Sequence, residues 1–538
     1  MLVTAAQMRE LDRRTIELGT PGEVLMERAG AGIAAALLRR HRAACARGVV
    51  VVSGRGNNGG DGFVVARLLK KRGHRCEVVL LGRLEELEGD ARLNAERWTK
   101  MRGRTVELET LDEHGAAELE RRLSRAGVVV DGIFGTGLAR PVEGLAAQVV
   151  EVIERAARGE ASPDARPARG ERGAGRETST RGARRTRPVV VAIDLPSGLD
   201  ADSGEALGVA VRADLTVTLG ALKPGLVAPA GRVWAGEVEL VDIGLAPEAI
   251  EAVGPYGEIG DAAMLAPLLP PRHASSHKGT HGHLLVVAGS RGKTGAAILC
   301  GRGALRGGAG LVTVACTDEV LPIIASSTPE LMTEPYGRFS ADEWRARLDG
   351  KAAVAVGPGL GTSDAAVELV RWLVREAGVP LVVDADGLNA LARDTSVLRE
   401  AKHGVVLTPH PGEMARLVGS STKDVQARRI EVARTLARDT GAVVVLKGSG
   451  TITAAPDGRW TLNTSGNPIL GTGGTGDVLA GLLGSLLAQH LEPYDAARLA
   501  VFLHGAAGDR LAERLGDAGL LASELADELP LVRHALRA

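Results

Sequence analysis

Two short stretches gather residue types that could do chemistry. The first is NPILGTGGTGDVLAGLL, from Asn467 to Leu483. Its Gly-rich half reads as a loop, and from Asp477 onward apolar residues fall at helical spacing. A loop that tips into a helix aims free N–H groups and the positive end of the helix dipole at one point, which suits an anion. Asp477 stands at that same point. If the anion is a transferable phosphoryl group, the acid has a use. It can take the proton of an acceptor hydroxyl while the N–H groups hold the phosphate. The alternative is an Asp that only caps the helix. The second stretch is SGRGNNGGDG, from Ser53 to Gly62. Gly54, Gly56 and Gly59 satisfy G-x-G-x-x-G after a strand and before a helix, the pattern of a dinucleotide cradle. Such a cradle wants an acid at the end of the second strand, about 20 residues on. Here Glu77 opens that strand and LLGR closes it. Asn57, Asn58 and Asp61 are also more polar than a pyrophosphate cradle requires.

Further polar groups follow other strands of the same half. Asp131 ends VVVDGIFGTG, and Asp194 and Ser197 end VVVAIDLPSG. If those strands are neighbours, Asn58, Asp131, Asp194 and Ser197 converge. Amide, hydroxyl and carboxylate oxygens with few formal charges suit a large monovalent cation better than zinc. The alternative is that each Asp caps its own turn.

These residues need a frame. In the first half, short β-branched runs alternate with helical patterns, which indicates a parallel sheet covered on both faces. An amphipathic helix from Thr4 to about Gly19 precedes them, with Thr4 and Gln7 placed as a capping box. ADLTVTLG and GEVELVDIG read as edge strands. The segment from Ala156 to Pro188 has no Val, Leu, Ile or aromatic residue and carries nine Arg against four acids. It cannot bury enough apolar surface to offset its ordering entropy, so it is expected to be a disordered insertion. A second α/β unit starts near PPRHASSHKGTHG. Its strands are HLLVVAGS, GLVTVAC, AAVAVGPG, PLVVDADG, GVVLTPHPGE and AVVVLKGSGT, and all but GLVTVAC run into Gly, Asp, His or Lys at the carboxyl end. Ligands of open α/β sheets bind at those carboxyl ends. The expected division is 1–245, a linker over 246–265, and 266–538.

Composition agrees with two domains. The chain has 538 residues, an apolar fraction of 45% and only 2% aromatics, so its cores are built from Ala, Val, Leu and Ile. A net charge of −1 argues against a globally basic nucleic-acid binder. The four cysteines form no C-x-x-C pair, which predicts free thiols and no zinc site. The charged N-terminus lacks a signal-peptide core, and no apolar run spans a bilayer, so a cytoplasmic protein is expected.

The motifs of the second unit resemble those of the NAD(P)H-hydrate dehydratase family. The strings are GSRGKTGAAILCGRGALRGGAGLVTVA, VGPGLG, VVDADGLNAL, LTPHPGEMARL, VVLKGSGT and NPILGTGGTGDVLAG, in that order. The resemblance implies a ribokinase-like fold. It implies that ADP, with magnesium, phosphorylates the C6 hydroxyl of a hydrated nicotinamide ring, after which phosphate leaves. Carried over, Asp477 is the base. Lys447, Gly448, Ser449, Gly450 and Thr451 would hold the nucleotide. So would Asn467, Pro468, Ile469, Leu470, Gly471, Thr472, Gly473, Gly474, Thr475 and Gly476. His410, Pro411, Gly412, Glu413, Met414, Ala415 and Arg416 would line the hydrate site, with Gly310 and Gly359 allowing close backbone approach.

GRGNNGGDGFVVAR, DGIFGTGLARPVEG, AIDLPSGLDADSG and TLGALKPGL resemble the NAD(P)H-hydrate epimerase family, with a Rossmann-like fold. The resemblance implies that Asn57, Asn58, Gly59, Gly60 and Asp61 bind the hydrate. Gly135, Thr136, Gly137, Leu138, Ala139, Arg140 and Pro141 would bind it too. Asn58, Asp131 and Ser197 would hold potassium. Asp194 would contact the substrate and handle protons at C6. The two units would then serve linked steps, one making both epimers of NADHX and NADPHX usable by the other. A homo-oligomer, tetramer or larger, is implied by the resemblance alone. Two other readings stay open here. The second unit could be a small-molecule kinase that leaves a stable phosphorylated product. The first could be a binding module like one found in mRNA-decapping scaffolds, with RNA on the Arg-rich insertion.

Overall fold

The structure, a computed structural model, describes residues 1–158 and 187–537. It divides into two compact units, Met1–Tyr256 and Gly257–Ala538. Most of the predicted Arg-rich insertion lies outside the described residues. Its flanks do not: Ala156 is buried on the last turn of the helix Gly144–Arg158.

The first unit holds seven strands: β1 (Val49–Ser53), β2 (Cys76–Leu81), β3 (Arg104–Leu108), β4 (Val128–Gly132), β5 (Val189–Ile193), β6 (Leu215–Leu219) and β7 (Glu237–Val241). They pair in parallel in the order β3-β2-β1-β4-β5-β6-β7. Alternation along each strand feeds two cores. Val51, Val78, Val130, Val191 and Val217 belong to one, and Val52, Val79, Val129 and Val190 to the other. The expectation of β6 as an edge fails. It is fully buried between β5 and β7, as its apolar run Leu215, Val217, Leu219 requires. β7 does lie at an edge, as expected, and the opposite edge β3, with two of five residues exposed, is too polar to stand out in the sequence. The capping box of Thr4 and Gln7 is present, on the helix Ala5–Glu17.

The second unit is built on a ten-stranded sheet: β8 (Glu258–Gly260), β9 (His283–Val287), β10 (Leu311–Cys316), β11 (Met332–Pro335), β12 (Ala353–Val356), β13 (Leu381–Val383), β14 (Val405–Leu407), β15 (Val443–Leu446), β16 (Ile452–Ala454) and β17 (Trp460–Asn463). Its order is β11-β10-β9-β12-β13-β14-β15-β16-β17-β8, antiparallel only at β15–β16 and β16–β17. Residues 246–265 are not a linker. The helix Pro247–Val253 packs on Ala5–Glu17, the Tyr256 N–H donates to the Leu2 carbonyl, and β8 joins β17. Ala249 and Gly260 are buried within this stretch.

Two helices of this unit touch backbone to backbone. Thr475–Ala488 is apolar on every face, and its residues Val478 to Ala488 are all buried. It lies against Thr294–Gly307. A Cβ on Gly481 would stand 1.9 Å from the Cys300 carbonyl, and one on Gly303 would stand 2.5 Å from the Val478 carbonyl. Close approach is possible only because both are Gly. It sets two helix N-termini around one cavity.

All four cysteines are free thiols, as expected. Among the described residues no helix is long and apolar enough to cross a membrane.

Candidate active sites

In each sheet the strand order reverses beside the first long strand, between β2 and β4 around β1, and between β10 and β12 around β9. Ligands of open α/β sheets bind at the carboxyl ends of the strands at such a reversal.

In the first unit a cavity of about 570 Å³ opens there. Of the residues expected to bind the hydrate, Asn57, Asn58, Asp61, Gly135, Thr136, Gly137, Leu138 and Asp194 line it. The helix begins at Asn57, so Asn57 to Asp61 form its first turn rather than a loop before it. Gly59 and Gly60 do not line the cavity. They let the helix sit close: a Cβ on Gly59 would meet the Gly54 carbonyl at 1.9 Å, and one on Gly60 would meet the Met26 side chain at 2.7 Å. Ala139, Arg140 and Pro141 are exposed beyond the lining.

Asp194 sits at φ +63, and the Leu195 N–H reaches back to the Ile193 carbonyl at 2.7 Å. This is a γ-turn of the rare, strained kind, and Asp tolerates it better than most residues. The turn points the carboxylate sideways at β6. There Oδ1 accepts from the Leu219 N–H (3.1 Å), the Thr218 hydroxyl (3.2 Å) and the Lys223 ammonium (2.5 Å). Lys223 is fully buried, and it also donates to the Leu219 carbonyl and Thr218 Oγ1. Sequence reasoning missed Lys223, although it stands in the motif TLGALKPGL. It also missed Asp12, which lines the same cavity. Burial pushes the Asp12 carboxyl up to about 6, against the pull of Lys223 and with a push from Asp194. Asp61 is raised well above the usual carboxylate range, by burial first and then by Asp194 and Asp12.

Asn58, Asp131 and Ser197 do converge. The Ser197 hydroxyl donates to Asp131 Oδ1 at 2.6 Å and its N–H to Oδ2 at 2.7 Å. Asn58 Nδ2 donates to the Phe134 carbonyl, which leaves Asn58 Oδ1 facing Gly135. Asp131 is completely buried, and its partners, Ser197 and the Ile133 N–H, are all uncharged. Burial raises its pKa to about 6 even though these bonds oppose it. A carboxylate enclosed without a counter-charge fits a bound cation.

The second unit has a cavity of about 450 Å³ lined by Gly292, Lys293, Gly359, Asp386, Gly473, Gly474 and Asp477, among others. It receives the N-termini of Thr294–Gly307 and Thr475–Ala488. Asp477 is in the first turn of the latter, and that helix has no side-chain capping bond. The capping reading is therefore not what the structure shows. Burial first, then Asp384, raise Asp477 to about 6, with Lys447 opposing and Asp386 and Glu413 adding. Lys447 Nζ bonds Asp384 Oδ1 at 2.8 Å and approaches the Gly-rich loop, 3.5 Å from where a Gly476 Cβ would be. Burial pulls its proton affinity down, but Asp384 and Glu413 outweigh that and the net shift is upward.

Ala385, at φ +49, separates two acids that face different cations: Asp384 takes Lys447, and Asp386 takes Lys293 at 3.0 Å. Gly359, at φ +61, packs on the Lys293 backbone, where a Cβ would be 2.7 Å from its carbonyl. The turn Lys447 to Thr451 is held by the buried Arg429, whose guanidinium donates to the carbonyls of Leu446, Lys447 and Gly450. Asn467 is anchored by Asp509, and the Thr475 hydroxyl closes the loop onto the Leu470 and Thr472 carbonyls. Ile469 is buried beneath.

The predicted hydrate-lining stretch divides. His410 caps the helix Pro411–Val418 by accepting the Gly412 and Glu413 N–H groups on Nδ1. Glu413 is buried, with Oε2 3.9 Å from Lys447 Nζ, and Arg416 holds Asn389. Met414 and Ala415 face the protein interior. Gly310 stands apart from the cluster. It precedes β10, at the amino end of the strand, where a Cβ would strike the Lys278 carbonyl at 1.7 Å. Asp384, Asp386, Lys293 and Arg429 were missed. The first three lie in the quoted motifs VVDADG and GSRGKTG, and nothing in the sequence marks Arg429.

Residues 284–531 match the family described as NAD(P)H-hydrate dehydratase, and residues 22–225 match the YjeF-related protein N-terminus. The bifunctional NAD(P)H-hydrate repair enzyme Nnr of Moorella thermoacetica is 42% identical over 546 residues, covering 99% of this chain and 97% of its own length. The protein of the same name from Escherichia coli is 36% identical, over 89% of this chain and 84% of its own. A solved ADP/ATP-dependent NAD(P)H-hydrate dehydratase from Bacillus subtilis, co-crystallised with ATP and Mg2+, is 36% identical over 52% of this chain and 99% of that one, at a TM-score of 0.47. Identity at this level along both units shows that the chain belongs to the family of bifunctional NAD(P)H-hydrate repair enzymes.

Proposed function

We propose that this chain repairs hydrated NADH and NADPH with two active sites. The N-terminal unit interconverts the R and S epimers at C6, and the C-terminal unit dehydrates the S form at the expense of ADP. The observation that carries the second step is Asp477, a carboxyl raised to about 6 at the meeting of two helix N-termini. A base in that range suits proton removal from a hydroxyl near neutral pH. Asp477 takes the C6 hydroxyl proton, and the oxygen forms its bond to the terminal phosphorus of ADP as AMP leaves. The N–H groups of the Gly473 to Gly476 loop and Lys447 face the transferring phosphoryl group. Phosphate then departs from C6 with its bonding pair, the N1 lone pair assists, and loss of a C5 proton restores the ring double bond. The sum is hydrate plus ADP giving NAD(P)H, AMP and phosphate. Magnesium accompanies the nucleotide.

In the first unit Asn58, Asp131 and Ser197 would hold potassium. Bound there, it would supply the positive charge that the enclosed Asp131 lacks, beside the loop that Asn58 and Ser197 hold at Phe134. Asp194 lines the cavity and carries its hydrogen bonds on Oδ1, so Oδ2 is the oxygen that would accept or return a proton at C6.

The test uses purified protein, mixed-epimer NADHX, Mg2+ and either ADP or ATP. Recovery of the reduced nicotinamide absorbance should be complete for the wild type. It should stall after one epimer for Asp194→Ala, at times short against spontaneous epimerisation. A stable phosphorylated product with no recovery would return the C-terminal unit to the small-molecule kinases.

A further inference from the structure

We infer that Asp12 is the second proton-handling group of the N-terminal site and works with Asp194 at C6; this rests on the epimerase reading above. The helix Ala5–Glu17 buries Met8, Leu11 and Thr15. Asp12 lies four residues after Met8 and three before Thr15, on the face where an apolar side chain is expected. The other charges of this helix are occupied elsewhere. Glu10 pairs with Arg13 and Arg14, Arg13 with Glu17, and Arg9 holds the Thr136 carbonyl. Asp12 instead lines the cavity, and its Oδ1 is sealed from solvent with no hydrogen-bond partner among the described residues. An unpartnered carboxyl is a costly choice on a packed face. A reaction that needs a proton there accounts for it.

The charged groups around the cavity are Arg9, Arg55, Asp61, Asp90, Asp194 and Lys223. Lys223 is the buried cation among them, and its three N–H groups are already taken by Asp194, Leu219 and Thr218. It is therefore committed to Asp194 and its neighbours and leaves Asp12 without a bonded partner. Two carboxyls on one cavity, one bonded to a buried ammonium and one with no partner, have the different surroundings that an acid and a base need. Burial holds Asp12 on the protonated side of an ordinary carboxylate.

The step balances as follows for the epimer whose hydroxyl meets Asp12. The carboxyl proton passes to that hydroxyl, the C6–O bond breaks, and water leaves with the bonding pair. The N1 lone pair forms C6=N1. Water then adds to the opposite face of C6, the double-bond pair returns to N1, and the surplus proton goes to Asp194 Oδ2. The substrate keeps its composition and changes only its configuration. One proton has moved from Asp12 to Asp194, and it returns by exchange with solvent or by the reverse reaction.

The test follows conversion of purified R-NADHX to the S form in full-length protein without nucleotide, by chromatography of the epimers. Asp12→Asn should lower kcat by about 100-fold or more, the usual reach of a lost acid or base, with KM changed less than about threefold. Asp12→Glu should restore part of the rate. The wild-type kcat should show a limb near pH 6 that Asp12→Asn lacks. Dehydration of S-NADHX with ADP, measured on the same samples, should stay at the wild-type rate and reports a folded chain. An Asn variant with wild-type kcat, or one that raises only KM, would overturn the inference, and so would a wild-type kcat without the limb. Wild-type protein that dehydrates the S form but leaves the R form untouched would overturn the epimerase reading itself, and this inference with it.

Discussion

Lys447 Nζ lies between two carboxylates, 2.8 Å from Asp384 Oδ1 and 3.9 Å from Glu413 Oε2. Asp384 is also bonded by the Thr408 hydroxyl and is almost fully buried. The ammonium thus ties β13, the helix Pro411–Val418 and the Gly-rich loop to one point. Lys447→Met leaves Asp384 enclosed without its counter-ion. Breaking a buried pair from one side costs roughly 3 kcal/mol. Urea unfolding of the C-terminal unit should show that loss, and the double variant with Asp384→Asn should recover part of it. A single variant as stable as wild type would remove the pair from the account of this site.

Asp477→Asn should lower the dehydratase kcat by about 10² to 10⁴, the range for losing a general base. Its stability should move the other way. The folded carboxyl is held near 6, above its usual value of 3.8, chiefly by burial. The native state therefore keeps its proton when the unfolded chain has lost it, and this group favours folding less as pH rises from 4 to beyond 6. The Asn variant lacks that penalty. Its stability advantage over wild type, measured by denaturant unfolding, should grow across this window. A constant difference at all pH values would contradict the shift.

Potassium should raise the melting temperature of the N-terminal unit, while tetramethylammonium at the same ionic strength should not. At 100 times the dissociation constant a specific ligand adds about 2.7 kcal/mol. Asp131→Asn should abolish the difference between the two salts. Equal melting of the wild type in both salts would argue that Ser197 alone suffices for the enclosed carboxylate.

Gly481→Ala tests the helix contact that frames the C-terminal cavity. The new methyl group would meet the Cys300 carbonyl, a backbone atom that cannot swing away. Overpacking costs about 1 to 3 kcal/mol, and displacement of Thr475–Ala488 moves Asp477 with it. Both stability and dehydratase kcat should fall, although residue 481 touches no ligand. Loss of stability with an unchanged kcat would separate the contact from the positioning of the acid.

Much of this was readable beforehand, for physical reasons. The central strands are runs of Val buried on both faces, and such runs announce themselves. The short strands β3, β8, β11, β16 and β17 do not, because three to five residues at a sheet margin carry little periodicity. Loop glycines pointed to both sites, yet Gly59, Gly60 and Gly310 lie outside the two cavity linings and pack closely on neighbouring chain. Asp12, Lys223, Asp384 and Arg429 were invisible as site residues for one reason. Each meets its partners or its cavity across separate elements, and only the strand order brings those together. Lys223 reaches Asp194 from 29 positions away, and Lys447 reaches Asp384 from 63.

The backbone at Asp194 limits how this protein can change over time. At φ +63 a side chain branched at Cβ is excluded, and Gly, Asn and Asp are the residues that tolerate the turn. A descendant that gave up proton transfer could still need the fold, because the same turn seats the loop through Ser197. Its record at this position would then be Asn or Gly, and rarely anything else. Loss of the reaction should therefore be legible as a one-letter scar, in a chain that otherwise folds as before.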